Sequence, residues 1–194
     1  MTLKTLLATL EGEPKAKLEA ALAKKEEARQ KYKRLQLKYG YAKSDVRRVN
    51  KELENMTDEL YTKSVRAHLT LVQGKFNLVD AAIYKYRRYD KQLKDQLKLK
   101  YLSKKKLLPA DHAGIADMIL RYASGLGSYA FDASDSLRIS KRYYDSALRS
   151  LKYGHDNFKR KALLEQRVAE ERLGIMDGSR LFYDGLLGHI QMNP

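Results

Sequence analysis

The sequence predicts an all-α fold: an elongated coiled-coil or helical bundle of two or three long helices, with short amphipathic helices at both ends. Three observations carry this expectation. Apolar residues between Tyr32 and Tyr86 recur in alternating steps of three and four, the spacing of a coiled-coil seam. Proline stands only at positions 14, 109 and 194, so long stretches lack the residue that most strongly stops a helix. No stretch alternates apolar and polar residues as a half-buried strand does.

Residues 1–13 form the first element. Leu3, Leu6, Leu7 and Leu10 follow the i, i+3, i+4, i+7 stripe of one short amphipathic helix. Thr2 is placed to cap it. Folding back on the bundle is the expected fate of that stripe.

Residues 14–108 read as one long coiled-coil helix, straight or kinked, with a basic end. Ala, Leu, Lys, Glu, Gln and Arg dominate residues 15–38, and all are good helix formers. The seam runs through Tyr32, Leu35, Tyr39, Ala42, Val46, Val49, Leu53, Met56 and Leu60. It resumes at Val65, Leu69, Val72, Phe76, Val79, Ile83 and Tyr86. The step of five between Leu60 and Val65 marks a bend. A hairpin over Met56–Val65 ranks second, because "MTDELYTKSV" contains neither glycine nor proline. Gly40 and Gly74 each weaken the helix by about 1 kcal/mol relative to alanine.

Residues 109–194 form a second helical segment. Pro109 ends the preceding helix, and Asp111 is placed to cap the next one. "GLGSYAFDASDS" loosens the helix at Gly125 and Gly127, and Asp132 or Ser134 caps a long helix over about 135–176. On it Leu137, Tyr144, Leu148, Leu151, His155, Phe158 and Ala162 form a seam, which makes His155 a core or interface histidine. Asp177–Ser179 reads as a turn. A short C-terminal helix then carries Leu181, Phe182, Leu186, Leu187 and Ile190.

The chain has 194 residues, with 39 Lys and Arg against 24 Asp and Glu, a net charge of +15. The excess is concentrated: residues 61–110 hold 13 basic and 3 acidic residues. Its densest part is "KYRRYDKQLKDQLKLKYLSKKK", Lys85 to Lys106. Lys85, Arg87, Arg88, Lys91, Lys94, Lys98, Lys100, Lys104, Lys105 and Lys106 are the candidate polyanion-binding residues. If the stretch is helical, Arg87, Lys91, Lys94 and Lys98 share one face while Leu93, Leu97 and Leu102 hold another. Tyr84, Tyr89 and Tyr101 lie off the seam beside these charges, where aromatic rings stack on bases or sit at a lipid interface. With no recognition helix or zinc module, nucleic-acid contact would be to the backbone and non-specific.

Catalysis is not expected. The chain has no phosphate-binding Gly-x-x-x-x-Gly-Lys, no His-Glu-x-x-His and no Glu-x-x-His pair. His68, His112, His155 and His189 are scattered, and Glu26–Glu27 and Glu170–Glu171 point about 100° apart on a helix. No cofactor, metal site or small-molecule substrate is expected. There is no cysteine, which fits a reducing compartment. With no membrane-spanning run and no secretion signal, the expected location is intracellular or inside a particle.

"SKRYYDSALRSLK", Ser140 to Lys152, joins basic, aromatic and Asp-Ala-Leu residues on one helix. With three long, kinked, basic helices behind a short amphipathic one, the chain resembles a BAR domain over these 13 residues. That resemblance implies a dimeric membrane-binding, curvature-shaping module with its basic strip on lipid headgroups. The leading expectation is different. It is a non-catalytic structural or assembly protein, such as a scaffold or internal virion-type component. Such a protein self-associates through its seam, as a homo-oligomer or a subunit of a larger assembly. Its strip lies on non-specific nucleic acid or acidic subunits. An anionic membrane surface is the partner of the alternative reading.

Overall fold

The computed structural model describes residues 2–192, with side chains through 176. Four helices make the fold: α1 (Leu3–Thr9), α2 (Gly12–Leu53), α3 (Glu59–Leu97) and α4 (Pro109–Met192). A single π turn, Lys98–Leu102, closes α3. The all-α class expected from the sequence is the one that forms.

α1 starts where Thr2 accepts a hydrogen bond from the Thr5 amide at 3.2 Å, satisfying one of the free donors of the first turn. Its stripe folds back as expected. Leu6 and Leu10 are buried with Leu18 of α2, Leu93 and Leu97 of α3, and Ile115 and Ile119 of α4.

The long helix expected over residues 14–108 is instead a hairpin. α2 ends at Leu53, α3 begins at Glu59, and the two run antiparallel. Tyr32 stacks on Tyr86 with ring centroids 3.9 Å apart. The Tyr39 hydroxyl donates to the Phe76 carbonyl at 3.2 Å. Lys43 pairs with Asp80 at 3.5 Å and Lys25 with Asp90 at 3.6 Å. The reversal needs no glycine or proline, because Asp58 supplies the missing partners. Its carboxylate accepts from the Leu60 and Tyr61 amides at the start of α3. It also receives the Asn157 side-chain amide at 2.9 Å and lies 3.6 Å from Lys161. One residue thus caps α3 and ties the turn to α4.

α4 runs parallel to α2 and antiparallel to α3, packed along both. Its inner face is Ala116, Ile119, Ala123, Leu126, Ala130, Ala133, Leu137, Ser140, Tyr144, Ala147 and Leu151, in uninterrupted steps of three and four. Most of these side chains are small, which lets three helices approach closely. The seam of residues 32–86 therefore closes within one chain. Tyr32, Leu35, Tyr39, Val49 and Leu53 of α2 are buried, as are Val65, Leu69, Val72, Phe76, Val79 and Tyr86 of α3. Val46, Ile83 and Met56 pack at the edges of these clusters. Leu60 is the exception: it sits in the first turn of α3 and is 73% exposed. Because α4 covers the stripe, its burial does not require a second copy.

α4 also departs from expectation. It has no break at Gly125–Ser134 and none at Asp177–Ser179. Gly125 is there to admit a ring: a Cβ at this position would strike the Tyr89 side chain, which packs against Tyr122 and Tyr129. Asp132 and Ser134 are exposed positions inside the helix, not caps. The inner face stops after Leu151 and Gly154, which meets Met56 and Tyr61 at the chain reversal; of the next positions in its rhythm, Phe158, Lys161 and Glu165, two are charged. His155 is accordingly exposed, not core, and Phe158 is 56% exposed. From Lys159 to Met176 every side chain of α4 is exposed. Leu181, Phe182, Leu186, Leu187 and Ile190 lie outside the described side chains.

These contacts set two expectations. Gly40 faces open space, so Gly40→Ala is expected to raise the urea midpoint by the equivalent of about 1 kcal/mol. Gly125→Ala is expected to lower it, since the Tyr89 ring cannot move without disturbing Tyr122 and Tyr129. The second expectation concerns Asp58, whose carboxyl is held below its ordinary range by the Tyr61 amide first, and then by Asn157, Lys161 and the Leu60 amide. A depressed folded pKa contributes stability above the unfolded value that is lost as pH falls through the folded one. Asp58→Ala is therefore expected to melt below the wild type at neutral pH. That gap should narrow as the pH drops below the usual carboxylate range, in thermal scans across pH.

Candidate functional site

The basic strip occupies the last three turns of α3, the π turn and the loop leading to α4. Its underside is apolar. Leu93 and Leu97 are 0% and 2% exposed, packed on α1 and on the start of α4. Leu102 and Tyr101 join the same cluster as partly buried members. The step from Leu97 to Leu102 is five residues, which an α-helix would turn away from the core. The π turn widens the spiral by one residue, with the Ser103 amide donating to the Lys98 carbonyl at 3.1 Å, and so brings Leu102 under Leu97.

Above this underside the sequence-derived residues all point outward. Lys85, Arg87, Arg88, Lys91, Lys94, Lys98, Lys100, Lys104, Lys105 and Lys106 are each exposed. They are not equivalent. The Arg87 Nε donates to the Tyr32 hydroxyl at 2.8 Å, which also receives the Gln36 amide at 3.0 Å. Lys94 is paired with Asp90 at 2.7 Å. Lys104 is paired with Asp111 at 2.8 Å and lies over the Tyr101 ring. Asp111 also accepts from the Leu108 amide at 2.9 Å, so it fastens the loop to the head of α4. Among the described residues, Lys85, Arg87, Arg88, Lys91, Lys98, Lys100, Lys105 and Lys106 have no ion-pair partner.

The hairpin adds residues that sequence reading missed. Tyr32 and Gln36 of α2 line a shallow groove with Tyr86, Arg87, Lys91 and Lys94. Lys25 shares Asp90 with Lys94. Burial first, then the nearby Asp90 charge, pushes the Tyr86 hydroxyl up to about 12, so it stays protonated beneath the strip. At the other end Lys4 of α1 borders a second groove with Lys98. Only the chain reversal reveals these neighbours, since α1 and α2 are far from α3 in sequence.

Of the tyrosines set beside the charges, Tyr84 alone is open, at 64% exposure. Tyr89 is locked among Tyr122 and Tyr129. The Tyr101 ring presses against Gly114. The face therefore offers charge much more than stacking surface. Among the described residues no helix is long and apolar enough to cross a membrane, and no group of His, Asp and Glu is arranged to hold a metal.

The chain matches no protein-family model, no curated protein and no solved structure. The geometry of this face thus carries the functional reading.

Proposed function

We propose that the protein is a non-catalytic structural or assembly component that lays the basic face of α3 on a polyanion. One observation carries this reading: leucines inward, ten cations outward, eight of them without an ion pair among the described residues. Surface charge left unneutralised favours a partner that releases counterions or offers anionic groups. With little exposed aromatic surface, such contact would be to a charged backbone and indifferent to base sequence.

Self-association belongs to the same reading, but at a different place from the seam. The projecting half of α4 exposes Phe158, Leu163, Leu164, Val168, Leu173, Ile175 and Met176. A helix this long with bare apolar side chains is stabilised by a partner helix. A BAR-like membrane module is the second reading, favoured by three long helices packed up, down and up, with one extending past the other two.

Replacing Arg87, Arg88, Lys91 and Lys94 by glutamate tests the strip. Duplex-DNA mobility shifts over a salt series, run beside co-sedimentation with anionic vesicles, should show binding by the wild type and its loss in the variant. Each phosphate contact should add roughly 0.9 to the magnitude of the slope of log K against log salt. Unchanged affinity would remove the strip from the proposal, and vesicle binding alone would favour the membrane reading. Light scattering tests assembly: the wild type is expected to exceed monomer mass, and Leu164→Glu with Val168→Glu to return it to a monomer. A wild type of monomer mass would overturn the assembly claim.

A further inference from the structure

Away from the strip, on the opposite side of α2, lies a cleft of about 640 Å³ between α2 and α4. That volume falls within the roughly 300–1,000 Å³ of small-ligand sites. Along α2 it runs from Lys31 to Val46, about 22 Å at 1.5 Å per residue. Its cause is local side-chain size. Ala42 on α2 and Ser134 and Ser140 on α4 line it, and such short side chains leave the space between the helices unfilled. Ser140 is 2% exposed and spends its hydroxyl on the Leu137 carbonyl at 2.7 Å.

The floor is apolar: Leu35, Val46, Val72, Phe76 and Leu137. Tyr144 lines the same cleft, with a hydroxyl shielded from water and without a hydrogen bond of proper geometry among the described residues. Arg48 lies beside that hydroxyl, as a hydrogen-bonding neighbour first and a charge neighbour second. The rim is basic. Lys31, Arg34 and Lys38 stand on α2, and Arg138 and Lys141 on α4, against Asp45 and Asp145. Lys31 is paired with Glu27, Arg138 with Asp135, and Asp45 with Arg48. Arg34, Lys38 and Lys141 have no ion pair among the described residues.

We infer that this cleft binds a free single-chain anionic amphiphile, its alkyl tail on the apolar floor and its carboxylate among the rim cations. Length and charge together select this class. A slot about four turns of helix long and walled by Leu, Val and Phe suits an extended alkyl chain. Cations on both walls suit one negative head and disfavour a positive one. The Tyr144 hydroxyl, beside Arg48, still has its own proton to donate to a carboxylate.

Isothermal titration of the full chain with dodecanoate, kept below its micelle threshold, tests the assignment. Saturable one-site binding is expected, with dodecyltrimethylammonium at least tenfold weaker. Ala42→Leu fills the slot and is expected to abolish binding while the thermal midpoint holds or rises. Lys38→Glu with Lys141→Glu is expected to weaken dodecanoate at least tenfold with the floor intact. The strip variant with Arg87, Arg88, Lys91 and Lys94 as glutamate should bind dodecanoate within twofold of wild type, which separates this site from the polyanion face. The inference is overturned if dodecanoate does not saturate, if the cationic amphiphile binds equally well, or if a folded Ala42→Leu binds like the wild type.

Discussion

The small residues on the inner face of α4 are the feature on which the rest of the structure depends. Ala116, Ala123, Ala130, Ala133 and Ala147 are buried, and they let this helix seat against α2 and α3 at once. Helix separation is set by the side chains at the contact. A leucine at each of these positions would push α4 out and open the middle of the bundle. Larger residues at Ile119, Leu126, Leu137 and Leu151 fill the spaces between the alanines. The aromatic layers sit where α2 and α3 meet directly, Tyr32 on Tyr86 and Tyr39 edge-on to Phe76. Such ring pairs stabilise by about 0.5–1.5 kcal/mol beyond their buried area.

Much of the fold is legible in the chain, and the departures have identifiable physics. The seam of residues 32–86 names the buried positions well, because large apolar side chains at heptad spacing have few other uses. It does not say what covers them. The covering surface on α4 keeps the same rhythm in alanine and serine, which look neutral in a search for apolar stripes. The chain reversal ranks second on sequence grounds because glycine and proline are absent from it. Asp58 replaces them by meeting the orphan amides of α3 with its own oxygens. The opposite holds at Gly125 and Gly127, which read as a loosened junction. At Gly125 the missing Cβ leaves room for a tyrosine ring inside an unbroken helix.

The basic face is legible in its inward and outward sides but not in its texture. Leucines at 93 and 97 and cations at 87, 91, 94 and 98 sort by helical angle alone. Which cations are already satisfied depends on Asp90, Asp111 and Tyr32. Two of these lie within or just past the strip, and one comes from a helix 55 residues earlier. Asp90 is shared by Lys25 and Lys94 across the hairpin. Charge density read from the sequence therefore overstates what the surface leaves unpaired.

The π turn at Lys98–Leu102 alters how the positive charge is laid out in space. An inserted residue offsets everything after it by a fraction of a revolution. Lys91, Lys94 and Lys98 lie along one line of the rod, while Lys104, Lys105 and Lys106 stand on the bend that follows the π turn, off the helix. The row of cations therefore leaves the straight line of α3 at the end of the bundle. A stiff, linear polymer would touch only part of such a path, whereas one that curves, or a surface that wraps the tip, could track it throughout.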